Sequence, residues 1–350
     1  MILIAYGTRP EVIKLFPVIL ELKRQGVPFK TLFSGQHTDL YLDVKDLVPQ
    51  PDYSFAGLFA GRNRHNTLAN SYLKIAREAE KLFTADKFTA LIVQGDTTTA
   101  LALAQIGYYN KIRIAHVEAG LRTFDLNNPY PEEFNRTVIS QIADFNFAPS
   151  GQAVQNLEKS GAKNIYHVGN TIIDAVQFMK RKLGLKVKRS NKVLVTLHRR
   201  ENHSIMRALF GELQEIAGEH PRLEFILPIH PNPNVMKHKP VLKSPNIRVV
   251  PPLDYPALLR VLSSVNFIIS DSGGIQEEAT CFNKKIIIVR EKTERPEVVD
   301  IGLGRLAGRD IRQHIEWAMG PFRGRAMDVY GKGDASGKIV KILKKASKQI

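Results

Sequence analysis

Short apolar runs alternate with longer amphipathic stretches along this chain, and the whole alternation occurs twice. In the first half Ile2–Tyr6, Phe29–Phe33, Ala90–Val93, Ile112–Val117 and Phe145–Ala148 read as strands. Glu11–Arg24, Thr67–Thr84, Thr98–Tyr109, Asn135–Ala143 and Ala153–Ser160 read as the helices between them. Runs that are apolar at successive positions suit strands buried on both faces, and strand–helix alternation calls for a parallel sheet covered on both sides. The pattern restarts with strands at Lys192–Thr196, Glu224–Pro228, Ile247–Val250, Phe267–Ser270 and Lys285–Val289. The helices of this second set are Met206–His220, Tyr255–Ser263, Ile275–Cys281 and Ile311–Ala318. The expected fold class is therefore α/β, with two Rossmann-like doubly wound domains in tandem. The 350 residues fit two domains of about 100–200 residues each. The join falls near Gly169–Asn170, ahead of a helix over Thr171–Leu183 and a basic stretch to Asn191, and Lys338–Ser347 reads as a last amphipathic helix.

This architecture directs attention to particular loops, because ligands of open α/β sheets bind beyond the carboxyl ends of the strands. Gly7-Thr8-Arg9-Pro10-Glu11 follows the first strand and opens a helix. Glycine allows the sharp turn, proline suits the first helical turn, and the helix N-terminus with Arg9 offers donors to an anion. Ser270-Asp271-Ser272-Gly273-Gly274 repeats the device in the second half. Gly273 and Gly274 allow a phosphate to approach the backbone, Ser272 can donate a hydroxyl, and Glu277 or Glu278 one turn later can accept from a vicinal diol. For the glutamates the plain alternative is helix-dipole complementarity.

Asp96 in Gln94–Thr99 and Glu118 in His116–Thr123 lie at the ends of two strands expected to be neighbours, and Pro131-Glu132-Glu133 precedes the helix that contains Arg136. Carboxylates converging on one site can supply both an acid and a base, since repulsion and desolvation raise one pKa. Against this stand the readings of Asp96 as a helix N-cap and of Glu118 as the salt-bridge partner of Arg122 or Arg136. His198, ending the first strand of the second half, can donate to a phosphate or act as an acid, whereas His230 reads equally well as structural.

The formal charge of +16 and pI near 9.8 admit nucleic-acid or membrane contact, a polyanionic small substrate, or a basic solvated surface. The charges fall in separate clusters, Lys180–Arg189, Lys237–Lys243 and Lys338–Lys348, without the interleaved aromatics of a nucleic-acid face. No apolar run approaches the roughly 20 residues of a membrane span, and Met1–Tyr6 is too short for a signal peptide. Cys281 alone cannot form an intramolecular disulfide, which fits a reducing, cytoplasmic setting. Metal-ligand clusters, a Walker loop and a complete G-x-G-x-x-G are absent, so no metal or other cofactor is expected.

Taken in order, GTRPEVIK at Gly7–Lys14, QGDTTT at Gln94–Thr99, HVEAGLRT at His116–Thr123, PEEFNR at Pro131–Arg136, GNTIID at Gly169–Asp174, HRREN at His198–Asn202, HPNPNV at His230–Val235, SDSGGIQEEA at Ser270–Ala279 and TERPE at Thr293–Glu297 resemble the non-hydrolysing UDP-N-acetylglucosamine 2-epimerases nearly end to end. The resemblance implies a GT-B-like pair of domains, 1–168 and 169–335, with a C-terminal helix (about 336–350) packing back on the first, an active site in the interdomain cleft, and a cytoplasmic homodimer. It also implies interconversion of UDP-GlcNAc and UDP-ManNAc by anti elimination of UDP to 2-acetamidoglucal and re-addition, serving surface polysaccharide precursor synthesis. Asp96, Glu118 and Glu132 become the acid/base set. Arg9, Lys14, His198, Ser272, Gly273, Gly274, Glu278 and Arg295 become the residues that hold UDP, with His198 also counted as catalytic. Gln36 and His37 match the start of a motif that binds a regulatory second UDP-GlcNAc in some bacterial members. Asp39 stands where the regulated members commonly have Gln, and Arg64 is out of register with their arginine. The alternatives are a GT-B glycosyltransferase, a hydrolysing epimerase and a basic nucleic-acid-binding protein.

Overall fold

The computed structural model describes residues 1–36, 47–59, 67–324 and 326–347. Contacts divide the chain into two units, Met1–Ala175 with Tyr330–Ile350, and Val176–Val329.

In the first unit β1 (Ile2–Tyr6), α1 (Arg9–Arg24), β2 (Phe29–Phe33), β3 (Tyr53–Ser54), α2 (Leu68–Ala85), β4 (Ala90–Gln94), α3 (Thr98–Tyr109), β5 (Arg113–Val117), α4 (Glu132–Ile142), β6 (Phe145–Ala148), α5 (Gly151–Lys159) and β7 (Ile165–His167) follow in sequence. The sheet is parallel, in the order β3-β2-β1-β4-β5-β6-β7. β1 and β4 are buried at every position, which is why both read as continuous apolar runs. Leu3, Ala5, Leu91, Val93 and Ile114 pack with Ile75, Phe83, Leu103 and Ile139 of the covering helices. The winding reverses between β1 and β4, so their carboxyl ends flank the topological switch point where such sheets take ligands. Gly7–Thr8 leaves one of those ends and Gly95–Asp96 the other.

After α6 (Thr171–Leu183) the second unit holds β8 (Lys192–Thr196), α7 (Met206–Glu219), β9 (Glu224–Pro228), α8 (Pro233–Met236), β10 (Ile247–Val250), α9 (Tyr255–Ser264), β11 (Phe267–Ser270), α10 (Gly273–Phe282), β12 (Ile286–Ile288), α11 (Pro296–Asp300), β13 (Gly304–Leu306) and α12 (Ile315–Met319). Its parallel sheet runs β10-β9-β8-β11-β12-β13. Val193, Val195, Phe225, Phe267 and Ile269 meet Leu209, Phe210, Leu213 and Ile216 of α7 in its core. Here the reversal lies between β8 and β11, the strands that lead into His198 and Asp271. Among the described residues no helix is long and apolar enough to cross a membrane.

Some boundaries differ from the sequence reading. β3, β7 and β13 are two- or three-residue strands, too short to show a period, and they sit at or near sheet edges. α4 starts at Glu132, not Asn135, because Pro131 occupies the cap and two glutamates in the first turn suit the positive helix end. α10 starts at Gly273, not Ile275, so both glycines lie in its first turn. The helix expected over Ile311–Ala318 is a 3-10 turn, Arg312–His314, followed by α12.

The last helix, α13 (Ala335–Ser347), packs against α1 through its buried face of Ile339, Val340 and Leu343, with Lys338, Lys341 and Lys345 outward. Its start is held by Asp174 in α6: the buried carboxylate accepts from Ser336 N at 2.9 Å, Ser336 Oγ at 2.5 Å and Ala335 N at 3.3 Å. Replacing Asp174 with alanine orphans these donors. The expected cost is about 1–3 kcal/mol, read in thermal unfolding as about 2–4 °C for each kcal/mol. An unchanged midpoint would show that the cap does not hold α13.

Candidate active site

The first turn of α1 is already supplied with an anion. Glu11 folds back so that Oε2 accepts from Gly7 N at 3.0 Å and Thr8 N at 2.7 Å, while Thr97 Oγ1 donates to Oε1 at 2.7 Å. This is a capping box, with Thr8 as the N-cap. Burial pushes the Glu11 carboxyl up, against the pull of those donors. The two backbone N–H groups that the sequence offers to a phosphate are thus taken by the chain's own carboxylate, which corrects that expectation. Arg9, half-buried, is the first residue of the helix. Gly7 has to be glycine, since a Cβ there would overlap the hydroxyls of Ser34 and Thr99.

Lys14 lies one turn further along α1 and is buried against Glu118, with Nζ donating to Oε1 at 2.6 Å. Gln94, last residue of β4, donates its side-chain amide to Oε2, so both oxygens of Glu118 are engaged. Glu118 directly follows β5 with φ +65°, in the left-handed region that costs a non-glycine residue about 1–3 kcal/mol. The structure thus pairs Glu118 with Lys14.

Arg136 goes to Asp96, Nη2 to Oδ2 at 2.5 Å, and Asn135 Nδ2 donates to the Asp96 carbonyl at 2.8 Å. Asp96 is not the N-cap of α3; Thr97 is, accepting from Ala100 N. Glu132, half-buried, begins α4, the helix that supplies both Asp96 partners. Glu133 is structural. Its oxygens accept from Thr123 N and Phe124 N, each at 3.0 Å, and fix the loop that leads from Glu118 to α4. Asp96 and Glu118 thus follow the neighbouring strands β4 and β5 at one edge of the sheet, and α4, which begins at Glu132, reaches Asp96 through Asn135 and Arg136. Gln36 accepts from Thr99 Oγ1 at 2.7 Å beside the Ser34 hydroxyl. His37, with Asp39 and Arg64, lies outside the described residues.

In the second unit one carboxylate organises the strand ends. Asp271 Oδ2 accepts from His198 N and Arg199 N, each at 2.9 Å, and from Asn202 Nδ2 at 3.0 Å. Alongside, the hydroxyls of Thr196 and Ser270 meet at 2.6 Å. Ser272 precedes α10 but does not cap it with its hydroxyl, and a Cβ on Gly274 would meet nothing within 4 Å, so the turn is open there. At Gly273 a Cβ would stand 2.5 Å from Arg295 Nη1. Arg295 is buried in an ion network: Nε donates to Glu277 at 2.7 Å and Nη1 to Glu294 at 2.5 Å. Glu294 also takes Arg290 at 2.7 Å and faces Arg199 at 3.9 Å, and Arg290 reaches Glu201 at 2.8 Å. Glu277 accepts from Arg295, and Glu278 beside it is also buried. Among the described residues no group of three or more His, Cys, Asp or Glu is arranged to hold a metal.

Sequence reasoning missed Asp271, Gln94 and Glu294 as organising residues. Asp271 sits inside a motif that it quoted, yet its partners lie 69 to 73 positions away, beyond any local pattern. The Thr8–Glu11 capping box was visible as T-x-x-E.

The family described as UDP-N-acetylglucosamine 2-epimerase matches residues 20–344. A UDP-N-acetylglucosamine 2-epimerase of Campylobacter jejuni is 37% identical over 98% of this chain and 97% of its own. The crystal structure of the Neisseria meningitidis UDP-GlcNAc 2-epimerase bound to UDP-GlcNAc superimposes with a TM-score of 0.90 at 32% identity, covering 98% of this chain and 99% of that one. MurG of Acinetobacter baumannii, at 14% identity and a TM-score of 0.57 over 98% of each chain, is alike in fold alone, the two-unit GT-B-like fold.

His116, fully buried on β5, bonds through Nε2 to the Gly95 carbonyl at 2.7 Å and so pins the turn before Asp96. Burial pushes its pKa from the ordinary 6.5 down to about 4. Between those values the unfolded chain takes up a proton that the folded chain refuses. The neutral ring's contribution is therefore complete above the unfolded value and is lost as pH falls through the folded one. Denaturant unfolding at about pH 7.5 and about pH 4.5 is expected to show roughly 2–3 kcal/mol more acid loss in the wild type than in His116→Gln, which keeps a donor but does not titrate. Equal losses would mean that His116 is not held neutral.

Proposed function

We propose, from the premise that the chain belongs to the UDP-N-acetylglucosamine 2-epimerase family, that it interconverts UDP-GlcNAc and UDP-ManNAc by elimination and re-addition of UDP. The observation that carries the reading is the placement of Asp96 and Glu118 after neighbouring strands at the carboxyl edge of one sheet, with Glu132 at the start of the helix that binds Asp96. The C2 proton of the sugar has no adjacent carbonyl to acidify it, so its removal has to accompany departure of a good leaving group. One carboxylate takes the C2 proton, the C1–O bond breaks with its electrons passing to UDP, and 2-acetamidoglucal remains. UDP oxygen then returns to C1 while a second carboxyl delivers a proton to the other face of C2. A reaction that runs on proton transfer and a departing diphosphate uses no cofactor of its own.

Several features support the assignment of parts. Arg136 and Asn135 fix Asp96, and Lys14 with Gln94 fixes Glu118, so the proton-transfer groups hold their geometry without reorganising. His198, Ser272, Gly273, Gly274 and Glu278 hold UDP, with the open turn at Gly274 receiving the diphosphate. We give Arg295 an indirect part, since its guanidinium already serves Glu277 and Glu294 beneath Gly273. We read the active assembly as a homodimer, supported by the large apolar side chains that α2 and α3 leave in solvent, Leu73, Tyr108 and Tyr109. We place this enzyme in the cytoplasm, where it supplies a surface polysaccharide precursor; a lone cysteine, Cys281, which forms no intramolecular disulfide, is in keeping with that reducing setting.

Asp96→Asn, Glu118→Gln and Glu132→Gln are each expected to lower turnover by about 10²–10⁴-fold while still binding UDP. Proton NMR of UDP-GlcNAc with the enzyme in D2O is expected to show UDP-ManNAc and deuterium at C2. Free ManNAc as product would replace the reading with a hydrolysing epimerase. Near wild-type turnover in any two variants would remove the carboxylates from the chemistry.

A further inference from the structure

Asp271 does more than tie a turn. Its side chain is wholly excluded from solvent, and the three hydrogen bonds that hold the His198–Asn202 turn all end on Oδ2. Oδ1 is equally buried, has no hydrogen-bond partner, and faces His198 Nδ1 at 3.6 Å. A buried carboxylate oxygen left without a donor carries a desolvation penalty, and turn-holding gives no reason to accept it. The imidazole it faces is 37% exposed, and its ring is stacked on His230 with centroids 5.3 Å apart and an interplanar angle of 13°. His230 in turn accepts from Asn232 N through Nδ1 at 3.1 Å, which fixes the orientation of the lower ring. His203 bonds through Nε2 to the His198 carbonyl at 3.1 Å and so secures the backbone under the pair. The His198 ring thus has Asp271 on its Nδ1 side and His230 against one face, and it stays partly exposed.

We propose that Asp271 is a positioning residue for His198: its Oδ1 keeps a proton on Nδ1, fixes the ring plane over His230, and presents Nε2 to the diphosphate. The proposal rests on the reading of the Ser272–Gly274 turn and His198 as the place where the diphosphate of UDP binds. A gap of 3.6 Å is too long for a closed hydrogen bond, and such contacts tighten when the charged partner arrives. With a diphosphate at Nε2, a ring protonated on both nitrogens stands between two anions, and both of its hydrogen bonds become charge-assisted. The same carboxylate therefore couples the backbone of the His198–Arg199 turn to the orientation of the side chain that the turn carries. Among the described residues no other carboxylate pairs with His198.

The neutral tautomer of His198 can be read directly by nitrogen-15 NMR of histidine-labelled protein without ligand, with the resonance identified by its loss in His198→Gln. Wild type is expected to carry the proton on Nδ1. Asp271→Asn is expected to move it to Nε2, because the amide oxygen can take over the three turn bonds while the amide NH2 donates to Nδ1. By calorimetry, Asp271→Asn should weaken UDP about tenfold or more. In a His198→Gln background the same substitution should change affinity by less than about threefold, since a purely structural loss would carry over in full. A wild-type ring protonated on Nε2, or an equal penalty in both backgrounds, overturns the positioning role. The wild-type tautomer needs no variant of Asp271 to fold. If wild type shows the Nδ1 proton yet binds no UDP, the nucleotide reading of this turn falls, and the ligand half of the proposal falls with it.

Discussion

Lys14 Nζ and Glu118 Oε1 meet at 2.6 Å with both side chains almost wholly out of water. Either charge alone in that position would face a desolvation penalty of several kcal/mol, so the pair can be buried only together. α1, which carries the lysine, is thereby committed to the end of β5, and Gln94 adds the end of β4 through the second oxygen. An apolar pair of similar volume would hold these elements as well or better. Stability therefore does not explain why a carboxylate stands there, least of all on a residue at φ +65°. The chemistry proposed for Glu118 does, because a proton acceptor at a fixed place needs both oxygens oriented before the substrate arrives.

The two strand-to-helix turns at the switch points look alike in sequence and are used differently. After β1 the helix N-terminus is closed by Glu11, whose carboxylate sits on the N–H groups of Gly7 and Thr8. After β11 the corresponding turn has an uncapped start, an open position at Gly274 and a guanidinium packed under Gly273. A helix end filled by its own carboxylate serves as structure, and one left open with a buried cation beside it suits an anionic ligand. This difference moves the weight of the proposed diphosphate binding to the second unit and the weight of proton transfer to the first.

The fold was legible where burial made the pattern simple. β1, β4, β8 and β11 lie inside their sheets and read as unbroken apolar runs, whereas β3 and β13, at the edges, are too short to leave a period. Asp96 and Glu118 were legible as strand-end carboxylates because position relative to a strand is local information. Their partners were not: Lys14 is 104 positions from Glu118, and the family resemblance counted it only among the residues that hold UDP. Arg295 likewise reads as a ligand residue in TERPE, while in the structure it answers Glu277 and Glu294. Buried charges announce that they need a partner, but the identity of that partner is decided by which loops the sheet order brings together.

The account stands on cleavage and re-formation of the sugar C1–O bond, and that event leaves a label. UDP-GlcNAc carrying oxygen-18 in the bridge between C1 and the β-phosphorus can be incubated with the enzyme and followed by phosphorus-31 NMR. If UDP departs and returns, the departed β-phosphate can rotate before re-attack, and the label is expected to spread from the bridging to the non-bridging positions as epimerisation proceeds. Full epimerisation with the label still in the bridge would show that C1–O never breaks, and would contradict elimination as the way this chain inverts C2.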